Sequence, residues 1–497
     1  MNKIIKFGLL SAIAISMVSC GEDFLENPAL EGSNTLTSSQ LAEASAVDPE
    51  VANALMSGVY SLTFTTGTGG TSSHTDFGMK SYDVFGDMLS SDMALSTSTY
   101  GWYRSDITEY QGPIDFTNGV NRQVWRYYYR IVRAANEVID GLGGMDFTPE
   151  SDENKAIMGQ AKALRAHSYF YLAQFYQKEY DGAELILPIY YSATDLNGPK
   201  VAASVIYDLI EADLTDAISL LNGYSRSNKT EINKSVAQAI YAYVLGARGT
   251  DYTKAYNMAK AAMTGGYTLM SSAEVTGGFN NVNTSGWMWG VDLNDEIGLG
   301  LVSWWGQMDY YSYSYPAFGD AKSIDASLFD AIPANDVRKG QFNDNPGAYT
   351  HLMPLFKFYD SDRTRYGTSR VVKADYVYMR VAEMHLLAAE YAAFNNNDGQ
   401  ARTELKALVS QRVPDASYID GLSGQALKDE IYLQTRIELW GEGRSYLAMK
   451  RNKATTVRGS NHLSLVGTPI PYNDERMTFE IPEGEIQFNP FISTQNN

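Results

Sequence analysis

Between Asn121 and Asp140 the residues Val124, Tyr128, Ile131, Ala135 and Val138 recur at alternating steps of four and three. Only an α-helix brings such positions onto one face, so this stretch must bury that stripe against a partner. Gly141 to Gly144 then end the helix. The pattern returns in Lys155–Tyr180, where Leu164, Ser168, Tyr171 and Phe175 share a face and Asp181-Gly182 closes the segment. Leu185-Ile186-Leu187-Pro188 leaves it as an extended run. Ser204–Leu221 is a third helix, with Glu211, Asp213 and Asp216 expected on its exposed side. Ser235–Arg248 and Thr253–Thr264 follow, joined by Gly249-Thr250-Asp251. Further helices are expected at Tyr376–Phe394, Gly399–Arg412, Leu427–Trp440 and Arg444–Arg451.

Helices paired through short turns, with small residues where they cross, have the character of tetratricopeptide-like repeats. Ala237, Tyr241, Gly246, Tyr252, Ala255 and Ala259 carry that character best. The expected fold is mainly α, a scaffold of such pairs. Two segments break the periodicity: about 61–114 and 265–369 are rich in Gly, Ser, Thr, Asn and aromatics. Loops of that length inside a compact chain are usually functional. They are expected to form an irregular, loop-rich lobe with a little β-structure, inserted into a single domain over 41–497. An apolar fraction of 44% is enough to give that domain a core.

The first 19 residues read as a secretory signal, with Lys3 and Lys6 ahead of a short apolar run. The run ends at Met17-Val18-Ser19-Cys20, which resembles a bacterial lipobox. Cys20 is the candidate lipidation site. Each buried methylene of an attached acyl chain contributes about 0.8 kcal/mol, so several chains anchor a protein firmly. Residues 20–40 are polar and read as a lipidated tether.

Cys20 is the single cysteine, so neither a disulfide framework nor a cysteine zinc site can form in the body. His74, His167, His351, His385 and His462 have no metal-ligand spacing. Asp292-Leu293-Asn294-Asp295-Glu296 clusters oxygen ligands but lacks the glycine and spacing of a calcium hand. No Gly-x-Ser-x-Gly elbow or phosphate loop occurs. No catalytic residue, metal or cofactor is therefore assigned. A formal charge of −19 argues against nucleic acid as a partner and fits a neutral ligand.

Several strings together resemble a known family. They are the tether Cys20-Gly21-Glu22-Asp23-Phe24-Leu25-Glu26-Asn27-Pro28, the run from Tyr129 to Glu137, the run from Ala161 to Phe170, and Tyr207 to Leu214. Arg380-Val381-Ala382-Glu383-Met384, Glu438-Leu439-Trp440-Gly441-Glu442-Gly443 and Ile481 to Pro490 complete the set. In this order they resemble the SusD/RagB family of outer-membrane nutrient-binding lipoproteins. The resemblance implies a non-catalytic, lipid-anchored protein facing the cell exterior. It implies partnership with a SusC-like TonB-dependent transporter, to which glycan (or, in some relatives, peptide) is delivered. A glycoside hydrolase and a scaffold that binds only protein stay open as alternatives. Arg130, Arg165 and Glu383, within the quoted strings, are expected to be structural.

Sugar rings are recognised by flat aromatic faces and by side chains that hydrogen-bond hydroxyls. Five of the seven tryptophans fall in the two loop-rich segments. The candidate ligand-binding residues are Tyr100, Trp102 and Tyr103 in the first, and Trp287, Trp289, Trp304, Trp305, Tyr311 and Tyr313 in the second. Trp102 is the foremost candidate, and Asp92, Arg104 and Gln307 are the candidate polar partners. Alternation at Trp287/Trp289 and at Tyr311/Tyr313/Tyr315 is that of an extended strand. Trp125 and Trp440 lie on predicted helices and are expected to be packing residues.

Overall fold

The structure, a computed structural model, describes residues 44–45, 48–361, 363–364 and 370–496. The signal, Cys20 and the tether to residue 40 lie outside the described residues. The scaffold begins with α1 (Pro49–Ser61), capped by Asp48, whose carboxylate accepts the Glu50 N–H at 3.0 Å. It continues through α2 (Met79–Leu89), α3 (Gly119–Gly141), α4 (Asp152–Tyr176), α5 (Ala203–Leu220), α6 (Lys234–Arg248) and α7 (Tyr252–Met263). Two short helices follow, α8 (Trp304–Met308) and α9 (Ala326–Ala331). The late set is α10 (Val381–Phe394), α11 (Asp398–Val409), α12 (Gly424–Glu438) and α13 (Ser445–Arg451).

The periodic stripes are buried as their spacing requires: Val124, Tyr128, Ile131, Ala135 and Val138 all face inward. From α3 to α7 each helix packs on the next, and α10 then packs on α7, α11 and α12. This is a tetratricopeptide-like scaffold, and one close crossing falls at Gly246. A Cβ there would sit 2.1 Å from the Tyr391 hydroxyl oxygen, so only glycine lets α10 approach α6 this closely. Tyr391 uses the approach to donate to the Ala242 carbonyl at 2.9 Å.

Small antiparallel ribbons tie the insertions to this scaffold. β1 (Met93–Leu95) pairs with β5 (Lys322–Ile324), and β2 (Leu185–Leu187) with β3 (Val201–Ala202). β4 (Trp287–Val291) pairs with β6 (Tyr376–Arg380), and β7 (Thr455–Val457) with β8 (Pro469–Pro471). β2 is the extended run expected after α4. Two elements depart from expectation. Tyr376–Arg380 is a strand, not the first turn of a helix, because β4 offers it a ladder and α10 starts only at Val381. Residues 61–114 are not loop throughout, since α2 lies within them with every residue buried.

A helix enclosed on all sides is ordinarily apolar. α2 instead carries Lys80, Asp83 and Asp87, which the scaffold neutralises. Lys80 Nζ lies 2.6 Å from Asp83 Oδ2, and the Gly443 N–H donates to Asp87 at 3.1 Å. Burial raises the Asp87 carboxyl to about 8, so it is protonated at neutral pH. Asp213, expected on an exposed face, is buried because Arg165 of α4 grips both its oxygens, at 2.8 and 2.7 Å.

The late strings of sequence meet in one buried charge network. Glu438 accepts from Arg412 (2.9 Å), Arg380 (3.0 Å) and Arg338 (3.2 Å). Glu442 accepts from Arg380 (2.7 Å) and Lys357 (2.9 Å). Glu383 caps α10 by accepting the Arg380 N–H at 2.7 Å and pairs with Arg444 Nε at 2.7 Å. These strings are therefore structural.

Candidate functional site

β1 runs out of the scaffold into Ser96–Arg104, and its pairing with β5 lays that loop against residues 316–320. Tyr100 N–H donates to the Asp320 carboxylate at 3.1 Å, and the Thr97 and Thr99 hydroxyls each donate to the Gly319 carbonyl at 3.1 Å. Gly319 has φ 114°, and a side chain there would strike Thr99. Glycine at that position thus sets how closely the two loops approach.

The result is an aromatic cluster open to solvent. Trp102, half-buried, lies parallel to His74, with ring centroids 5.0 Å apart and an interplanar angle of 7°. Tyr315 meets Trp102 edge-on at 6.0 Å, and its hydroxyl is hydrogen-bonded to His74 Nδ1. Tyr100, 53% exposed, meets Tyr315 at 5.3 Å. Farther along, Phe318 is exposed and packs on Tyr313 at 5.6 Å. The cluster rests on a buried polar chain: Lys322 Nζ donates to Gln307 Oε1 at 2.7 Å, and Gln307 Nε2 donates to the His74 carbonyl at 2.9 Å. Burial lowers Lys322 to about 7.

The predicted residues separate into two groups. Tyr100, Trp102, Arg104, Tyr311 and Tyr313 are at least partly exposed, and all but Arg104 make ring contacts on this side of the lobe. Arg104 points to Glu109, 3.3 Å away. The others have no face open to solvent. Trp287 and Trp289 are sealed in β4, where Trp289 Nε1 donates to the Thr230 carbonyl at 2.9 Å. Bulges break their alternation. Trp304 and Trp305 are buried on α8, Trp304 packing against Phe358 at 4.7 Å. Tyr103 is buried in the left-handed region and meets Phe85 at 5.9 Å. Gln307 is the buried strut just described. Asp92 is buried and bound by Arg436 at 2.6 Å, with its carbonyl taking the Trp440 indole N–H at 2.7 Å. These seven are packing and anchoring residues: loops this long build a core of their own. Trp125 and Trp440 are buried, as their helices required.

Sequence reasoning named Tyr315 only within the Tyr311/Tyr313/Tyr315 alternation and missed His74 as part of the cluster. His74 stands alone in a Gly/Ser/Thr-rich stretch, and nothing local links it to Trp102. Two clefts of about 790 and 560 Å³ open elsewhere, and none of these aromatics lines either. Among the described residues no cluster of His, Cys, Asp and Glu is arranged to hold a metal. No described helix is long and apolar enough to cross a membrane.

A model described as starch-binding, associating with the outer membrane, matches residues 76–245. The model of the SusD family matches residues 247–496, half of the chain. The chain belongs to the SusD family. Similar solved structures include a SusD-like carbohydrate binding protein from Bacteroides vulgatus, at 24% identity and a TM-score of 0.73, covering 89% of this chain and 96% of that one. A SusD superfamily protein from Bacteroides thetaiotaomicron is 24% identical with a TM-score of 0.74, covering 90% and 99%. A surface glycan-binding protein A from Bacteroides uniformis is 17% identical with a TM-score of 0.65, again covering 90% and 99%. At these identities the likenesses establish the SusD fold. No curated protein matches the chain significantly.

Proposed function

We propose that this SusD-family protein captures glycan at the cell exterior and delivers it to a TonB-dependent outer-membrane transporter. It is held there by lipid on Cys20 and carries out no catalysis. The observation that carries the glycan reading is the half-buried Trp102, fixed by His74 and Tyr315 beside the exposed Tyr100. An aromatic plane clamped from behind keeps its outer face for the C–H face of a sugar ring and loses little side-chain entropy on binding. The description of the model matching residues 76–245 supports both a starch-like ligand and the outer membrane. The SusD-like carbohydrate binding protein and the surface glycan-binding protein among the similar structures support the same ligand class. The lipobox-like Met17-Val18-Ser19-Cys20 supports the anchor.

The test is calorimetric titration of the detergent-solubilised full-length protein against a polysaccharide panel, with peptides as control. Each positive is repeated with Trp102→Ala and incubated at length for products. Glycan binding lost in the variant, with no cleavage, supports capture. Released oligosaccharide points to a hydrolase, and binding of peptide alone points to a peptide importer. Co-purification with a barrel transporter from outer membranes tests the delivery step.

A further inference from the structure

Two arginines sit on the aromatic surface with no carboxylate partner among the described residues. Arg370 lies over the ring of Tyr313, its Cζ 4.6 Å from the centroid. Arg363 is held among three rings, 4.0 Å from Tyr359, 5.2 Å from Tyr311 and 5.1 Å from Phe356. Both side chains are exposed. Arg363 Nη2 donates to the Leu355 carbonyl at 3.2 Å and to the Tyr311 hydroxyl at 3.3 Å, while its Nε and Nη1 have no acceptor among the described residues. Arg370 makes no side-chain hydrogen bond or ion pair among them. The contrast with Arg338, Arg380 and Arg412 is clear, since each of those is spent on Glu438.

We propose that the ligand of this surface is an anionic glycan, whose sugars bear carboxylate or sulfate groups, and that Arg363 and Arg370 bind those groups. The inference rests on the glycan reading above. A guanidinium seated on an aromatic face keeps its plane: Arg370 presents an N–H fork that takes a carboxylate or sulfate through two parallel hydrogen bonds, while Arg363, whose Nη2 is engaged, offers single donors at Nε and Nη1. The tyrosine faces covered in this way are not free to stack on sugar. Tyr311 and Tyr313 thus seat cations, and the ring-stacking role falls to Tyr100 and Trp102. The two functions adjoin, because Tyr313 stands two residues before Tyr315 and meets Phe318 of the next turn.

Among the described residues, two carboxylates close to this face, Asp309 and Asp320, are turned away from it. Asp309 is buried and accepts the N–H groups of Tyr311 (3.0 Å) and Ser312 (2.9 Å). Asp320 is buried and accepts from Thr99 and Tyr100. Asp360, near Asp309, is half-buried and engaged within the protein. The chain as a whole carries −19, which opposes a polyanion at long range. That field is screened over about 8 Å in physiological salt, so the groups in contact decide the outcome.

The experiment titrates the full-length protein in detergent with polygalacturonate and its carboxyl-reduced form, and with a sulfated galactan and its desulfated form. It is repeated for Arg363→Gln and Arg370→Gln, with thermal melts to confirm that these exposed substitutions leave the fold intact. The expected result is binding of at least one charged polymer, weakened at least about tenfold by each substitution and by removal of the charged group. Which charged polymer binds distinguishes carboxylate from sulfate. Equal affinity for a charged polymer and its neutral form, unchanged in both variants, overturns the inference and leaves the glycan reading standing. Silence from all four polymers and from the wider neutral panel overturns the reading on which it rests.

Discussion

The imidazole of His74 lies flat against the indole of Trp102, 5.0 Å between centroids, and its Nδ1 is bonded to the Tyr315 hydroxyl. One histidine therefore fixes both the half-buried tryptophan and the tyrosine that meets it edge-on. Aromatic pairs of this kind contribute about 0.5–1.5 kcal/mol. His74→Ala is expected to weaken glycan binding about three- to tenfold by calorimetry, with little change in melting temperature. An unchanged affinity shows that Trp102 holds its orientation without His74.

The buried tryptophans behave differently. Trp287→Ala and Trp304→Ala remove fully enclosed side chains, each costing about 3–5 kcal/mol of stability. Urea denaturation is expected to show this loss directly. Any fall in glycan binding should follow the fraction folded, unlike Trp102→Ala, which should lose binding while staying folded.

Glu438 compensates three buried arginines, Arg338, Arg380 and Arg412. Burial works to raise its pKa, but Arg412, Arg380 and Arg338 together hold it well below the usual carboxylate range. Glu442 is likewise desolvated and is brought down to about 2 by Arg380 and Lys357. Both folded-state values lie below the unfolded ones. The stability they contribute is present above about pH 4.5 and is lost as pH falls towards 2. Acid denaturation in that window is the expected outcome, followed by circular dichroism. Glu438→Gln at pH 7 should cost about 3–5 kcal/mol, because it leaves Arg412 buried without a charge partner and strips one of two carboxylates from Arg338, which keeps Asp336, and from Arg380, which keeps Glu442.

Asp87 carries the opposite sign. Its folded pKa of about 8 lies above the ordinary 3.8, so its contribution to stability declines as pH rises from about 4 to 8. Asp87→Asn keeps an oxygen for the Gly443 N–H and removes that titration. The variant's melting temperature relative to the natural protein is expected to rise between pH 5 and pH 8. A constant difference would place the ionisation elsewhere.

Gly246→Ala adds a methyl where the Tyr391 ring already stands, with the nearest ring carbon 2.4 Å from the new atom. The helix-pair crossing must open, at a cost of about 1–3 kcal/mol, readable as a lower denaturation midpoint at unchanged slope.

The stripes and stop signals of the sequence placed α3 to α7 and α11 to α13 within a few residues, because helical period is written locally. The same reasoning missed β6, whose five residues are as apolar as a buried helix turn and become a strand only because β4 lies alongside. It also put Asp213 on the wrong face, since an acidic residue is solvent-facing by composition until an arginine from another helix takes it in. Lone Trp102, half-buried in the structure, was legible as a candidate from its place in a Ser/Thr/Gly-rich loop. Its support by His74 was not, nor was the seating of Arg363 and Arg370 on tyrosines.

By itself the sequence determined the helical scaffold, the family and the two loop-rich segments that carry five of the seven tryptophans. Only the tertiary structure decided which of those aromatics face solvent, which are sealed, and which carry a cation. Periodicity records a face that must be buried somewhere along a regular element. A loop side chain has no such period, and its exposure depends on what distant segments, such as β5 against β1, bring to lie over it.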